Sequence, residues 1–124
     1  AAILQDAHAM TDVTGFGLAG HVQAICTASR LRAEIRAGDV PFFQGARKLS
    51  DSGIGSSLLQ SNIEYAPSTG ISDPLLFDPQ TAGGLLAALP PNAAKDAIDT
   101  LAKEGLKGWV IGNLQEGSGP IQII

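Results

Sequence analysis

Asp12 lies between Thr11 and Thr14, directly ahead of Gly15, Gly17 and Gly20, in the run TDVTGFGLAGH of residues 11–21. An ionised carboxylate is a hard oxygen ligand suited to Mg2+, which keeps several waters and is commonly held by one or two carboxylates together with substrate phosphates. The glycines carry no side chain to keep a ligand at a distance, and a helix beginning after them exposes unpaired N–H groups that favour an anion. Carboxylate and glycines together suit a Mg-bound polyphosphate. The same spacing also suits a plainer arrangement, in which Asp12 or Thr14 caps a helix and the glycines permit close packing, because short glycine patterns are weak motifs.

A second run, DPQTAGG at residues 78–84, sets Asp78 and Thr81 before Gly83 and Gly84. Its successive N–H groups could form an anion-binding nest, or the run could be a tight turn entering a strand. His8 and His21 flank the first run; a shared metal is one reading of them, and packing or solvent exposure the other. The lone Cys26 falls on an apolar helical face, as a buried and inert thiol would.

These residues need elements to place them. Leu18, Ala19, Val22, Ile25 and Cys26 recur at helical spacing, predicting a helix that leaves the glycine run and ends near Ser29. Residues 31–37 alternate strictly, with Arg32, Glu34 and Arg36 on one side, as a strand with one wet face. Asp39 and Pro41 look like a helix start, with Phe42, Ala46 and Leu49 on one face and Gly53 as the stop. A short helix is expected at 57–62 and an extended piece at 63–66. The apolar run 85–89 reads as a sheet-centre strand covered on both faces. Ala94, Ile98, Leu101 and Ala102 predict a helix closed by Gly105, and 109–114 and 121–124 two closing strands able to form a hairpin. Helices and strands mix without regular alternation, which favours an α+β fold.

Composition narrows the function. At 124 residues, 44% hydrophobic and 16% charged, the chain has the material for one core and no linker long enough to divide it. A net charge of -4, with eight Lys and Arg in no cluster, argues against a nucleic-acid partner. No apolar run approaches the roughly 20 residues needed to span a bilayer, so no membrane partner is expected. One cysteine suits a reducing compartment, and the cytoplasm is the expected location. The opening Ala1-Ala2-Ile3, without an initiator methionine, carries the expectation of a piece of something longer.

Residues 11–21 (TDVTGFGLAGH) and 76–86 (LFDPQTAGGLL), in that order, together resemble selenophosphate synthetase, also called selenide, water dikinase. The resemblance runs across essentially the whole chain, including Trp109-Val110-Ile111-Gly112, and corresponds to the family's C-terminal domain. One departure is Ala82, where the family's DPQTSGG has serine. The resemblance implies the fold of the aminoimidazole ribonucleotide synthetase C-terminal domain, a mixed and mainly antiparallel sheet with packed helices, partly ferredoxin-like. It implies an enzyme that makes selenophosphate from selenide and ATP with release of AMP and phosphate, a homodimer in its full-length form. Residues 1–124 would be a single C-terminal domain whose partner is an ATP-binding N-terminal domain that holds the reactive cysteine or selenocysteine, so these residues alone would be inactive. Asp12 would be a Mg2+ ligand on the polyphosphate, and Thr11, Thr14, Gly15 and Gly17 would shape the cofactor-binding loop. The alternatives are another ATP-using enzyme of the same superfamily, or a stand-alone module that binds Mg-nucleotide or a partner.

Overall fold

A computed structural model describes residues 2–124. The apolar face of α1 (Gly17–Ser29) is the organising surface: Leu18, Ala19, Val22 and Cys26 are buried against β2 (Leu31–Ile35), whose Ala33 and Ile35 face inward. Arg30, at φ 56°, takes the left-handed conformation that ends α1 and turns the chain straight into β2. The alternation predicted for 31–37 is therefore correct in kind, and it ends at Ile35, where a 3-10 turn (Ala37–Asp39) begins.

Two short helices follow, α2 (Ala46–Asp51) and α3 (Leu59–Tyr65), then β3 (Ser68–Gly70), β4 (Leu85–Ala88), α4 (Pro91–Lys103), β5 (Gly112–Glu116) and β6 (Ile121–Ile123). With β1 (Ala9–Asp12) they make two sheets: a ribbon of β1 and β4, and a four-stranded sheet in the order β3-β6-β2-β5. The antiparallel pairings, β1 with β4 and β2 with β5, join four and five residue pairs; the parallel ones, β2 with β6 and β3 with β6, join two and three. The fold is thus α+β with mixed, mainly antiparallel pairing and helices packed on strands, as the resemblance implied.

Several local expectations are corrected. The closing strands form no hairpin, because β2 lies between β5 and β6 and uses both. Burying Ile121 and Ile123 beside Ile35 makes β6 an inner strand, and Gly117 and Gly119, at φ 114° and 143°, carry the connection past the end of β2. The strand expected from 109 starts at Gly112, where any Cβ would strike the Glu34 carbonyl oxygen. Residues 63–66 are not extended: α3 runs to Tyr65, with Leu59, Asn62 and Ala66 turned inward, and the strand comes later, at Ser68–Gly70. The helix expected from Asp39 begins only at Ala46, since Asp39 is tied back to Arg36 by a 2.6 Å ion pair and Gly45 enters at φ 87°. Finally, β4 is no sheet centre. It pairs with β1 alone, and Leu85 is 61% exposed.

An ion pair with a buried carboxylate anchors the middle of the chain. Asp73, 5% exposed, accepts both guanidinium nitrogens of Arg47 at 2.6 and 2.8 Å and also the Leu75 N–H at 3.1 Å, while Arg47 lies 4.9 Å over the Phe42 ring. The Asp73 carboxylate holds the Arg47 guanidinium protonated still more firmly than usual. Removing Arg47 strands a buried charge, while water near the half-exposed arginine moderates the loss. Arg47→Ala is expected to cost about 1–2 kcal/mol in urea unfolding, and an unchanged midpoint would contradict the anchor.

Burial raises the Cys26 thiol above its ordinary range. The folded state thus holds this proton more tightly than the unfolded chain does; its stabilising contribution is complete below the ordinary thiol pKa and is lost as pH rises through the folded value. At about pH 8, alkylation by iodoacetamide should be slow in the native protein and fast in urea, whereas native labelling at a free-thiol rate would place Cys26 outside the core.

Candidate functional site

The two glycine runs form one structure. The ladder of β1 with β4 sets Thr11 opposite Leu86 and Asp12 opposite Leu85. It continues beyond both strands: Val13 N–H donates to the Gly84 carbonyl at 3.0 Å, Gly83 N–H to Val13 at 3.1 Å, and Gln80 N–H to Thr14 at 3.0 Å. Gly83 has no room for a side chain, since a Cβ would strike the Val13 carbonyl oxygen. Residues 77–84 therefore act as the second wall of the loop at 11–17.

Alternation along β1 sorts the candidate residues. Asp12 and Met10 are exposed on one face of the ribbon, beside Leu85, whereas Thr11 points to the other face and its hydroxyl donates to the Asp12 carbonyl at 3.1 Å. Among the described residues no hydrogen bond or ion pair engages the Asp12 carboxylate, so its oxygens face outward with full acceptor capacity. Neither Asp12 nor Thr14 caps α1, whose N-cap position is Phe16 without a side-chain bond.

Thr14 is held from α1 instead. Its N–H donates to His21 Nε2 at 3.0 Å, with its hydroxyl 3.2 Å from the same nitrogen. In this arrangement Nε2 faces the Thr14 N–H as an acceptor and is committed to the loop rather than to a metal. Gly15 is exposed, with nothing within 4 Å of a side-chain position. Gly17 is the opposite case, buried at φ 68° with its Cα pressed on the Phe77 backbone. Phe16, between them, stacks on Tyr65 at 5.1 Å and meets the His21 ring edge-on at 5.9 Å.

Asn62 joins both walls. Its buried side-chain amide donates to the Gly15 carbonyl and to the Phe77 carbonyl, each at 2.9 Å. Sequence reading passed over it. The available signal was an amide at the i+3 position of a buried stripe running Leu59, Asn62, Ala66, where an unpaired polar group would be costly.

Among the described residues no three His, Cys, Asp or Glu side chains are grouped to hold a metal ion. Asp12 can offer one hard carboxylate. That suits Mg2+, which accepts a single protein ligand when phosphates and waters fill the rest of its octahedron.

The structure is thus an α+β domain that presents one exposed carboxylate, Asp12, beside an open glycine loop. The chain belongs to the family described as AIR synthase related protein, C-terminal domain, whose model matches residues 1–123. It is similar to the selenide, water dikinase of Dechloromonas aromatica (strain RCB), 36% identical over 132 residues, covering 99% of this chain and 38% of that protein. The selenide, water dikinase of Paraburkholderia xenovorans (strain LB400) is 33% identical over 98% of this chain and 37% of its own length. That of Clostridium botulinum (strain Eklund 17B / Type B) is 36% identical over 94% of this chain and 36% of its own. The resemblance read from the two motifs holds, at the level of the C-terminal domain, and the chain spans well under half the length of these curated relatives. No helix among the described residues is long and apolar enough to cross a membrane.

Proposed function

We propose that residues 1–124 are the C-terminal domain of a selenophosphate synthetase, an enzyme that converts selenide, ATP and water to selenophosphate, AMP and phosphate. The observation that carries this reading is the hydrogen-bonded fusion of the two motifs, which leaves Asp12 outward and unengaged beside the open Gly15. The names of the similar proteins supply the substrate.

The domain's part is binding and positioning. Asp12 would hold Mg2+, which when bound neutralises charge on the polyphosphate of ATP. Gly15 gives the phosphates room, and the Thr14 and Gly17 contacts keep the loop in one shape. Phosphoryl transfer depends mainly on positioning and charge neutralisation, so such a domain can be indispensable without a nucleophile. The nucleophile and the remaining metal ligands belong to an N-terminal domain of the same enzyme, and the resemblance carries the further expectations of a homodimer and a cytoplasmic location.

The complete reading frame containing these residues should form AMP from ATP only when selenide is present, and the 124 residues alone should form none. Selenide-independent turnover by the complete protein would point to another member of the superfamily. Tight Mg-ATP binding by the isolated chain would favour a stand-alone module.

A further inference from the structure

We infer that Asn62 is a positioning residue for the nucleotide site: by holding the Gly15 and Phe77 carbonyls it turns the backbone N–H of Phe16 toward the polyphosphate. This rests on the functional reading above and names a residue outside both motifs.

A trans peptide is planar, with its C=O and N–H pointing in opposite directions, and the described chain has no cis peptide. The Gly15 carbonyl points inward to Asn62 Nδ2, so the Phe16 N–H in the same plane points away from α3. The preceding peptide follows the same rule. The Thr14 carbonyl accepts from Gln80 N–H and from Gly17 N–H, at 3.0 and 3.1 Å, which turns the Gly15 N–H away from the second wall. Gly15 and Phe16 are both exposed, and neither N–H enters the backbone hydrogen bonds of the turn.

Two successive N–H groups directed outward ahead of a helix offer two donors to an anionic oxygen. Asn62 suits the task of setting them. Its amide supplies two protons in one rigid plane, one for each wall, so the Gly15 peptide cannot rotate without breaking its bond to a buried side chain. Burial makes the arrangement exacting at Phe77, because its carbonyl would lose a buried donor that water cannot readily replace. The phosphate oxygens of ATP are the anions that this pair would meet.

Asn62→Asp keeps the shape of the side chain and removes both donors. In the complete protein its KM for Mg-ATP should rise about 10- to 100-fold, the effect of losing a hydrogen bond to a charged group, while the KM for selenide holds. A purely structural role would lower the folded fraction, and with it the apparent kcat, leaving both KM values in place; that result would overturn the inference. A measurement on the wild type covers the case of an unfolded variant. In protein labelled with 15N-phenylalanine, the Phe16 amide signal, assigned by its loss in Phe16→Leu, should shift on titration with Mg-ADP. A signal that stays fixed up to millimolar Mg-ADP overturns the inference. Wild-type protein without selenide-dependent AMP formation overturns the functional reading alone, since the Phe16 titration still decides the role of Asn62.

Discussion

Asp12→Asn in the complete protein is expected to lower selenide-dependent AMP formation by about 10²- to 10³-fold, the range seen when one preorganised electrostatic contact to a reacting centre is removed. The substitution keeps the size of the side chain and a single carbonyl oxygen and removes the charge. It should leave folding intact, because the carboxylate makes no hydrogen bond among the described residues and projects from the exposed face of the ribbon. Excess Mg2+ should recover part of the rate, since a weakened ligand lowers metal occupancy before it alters the chemistry. A charge substitution elsewhere provides the contrast: Glu34→Gln, on the wet face of β2, should change the rate little. Full activity of Asp12→Asn at low Mg2+ would remove Asp12 from the site and leave the glycine loop as a packing device.

The parts of the fold that were legible in the sequence are those dictated by local repetition. The spacing of Leu18, Ala19, Val22 and Cys26 gives α1, and the alternation of 31–37 gives β2, because each pattern reports which side of one element meets the core. What stayed hidden depends on distant partners. The insertion of β2 between β5 and β6 is a pairing choice among strands far apart in sequence, and nothing within 109–124 encodes it. The run at 85–89 announced a strand, yet its exposure follows from having β1 as its neighbour instead of a wide sheet. The short helix expected at 57–62 is present as α3, but its end was set too early, because Asn62 occupies a core position with a polar side chain and the apolar stripe looks broken just where the loop is fastened. The candidate site shows the same division. Asp12 and the glycines were visible as types and spacing, but the joining of the two runs, and the commitment of His21 to Thr14, arise only when residues 11–17 and 78–84 are brought together.

Gly17→Ala should strongly destabilise the fold and disturb the loop with it. Two independent effects add at this position. The residue sits at φ 68°, a conformation that costs an L-amino acid roughly 1–2 kcal/mol. The added methyl would also lie 2.6 Å from the Phe77 carbonyl carbon and 2.7 Å from its oxygen, against backbone that cannot swing aside like a side chain. Overpacking of this kind costs about another 1–3 kcal/mol. Relief requires α1 to move away from Phe77, and that movement pulls on the carbonyl that Asn62 holds, so the second wall of the loop shifts with it. Urea unfolding should therefore show a loss of about 2–5 kcal/mol. In the complete protein the KM for Mg-ATP should rise even at temperatures where the variant remains folded, because the loop has lost its register. Gly15→Ala supplies the test of cause: a Cβ at Gly15 meets nothing within 4 Å, so its stability should be nearly unchanged, while any loss of Mg-ATP affinity would come from the methyl group standing where the phosphates approach. If Gly17→Ala unfolded at the wild-type midpoint, the close contact between the two motifs would be wrong. If Gly15→Ala were as unstable as Gly17→Ala, the open side of the loop would be a packed one, and the place assigned to the polyphosphate would be filled by protein.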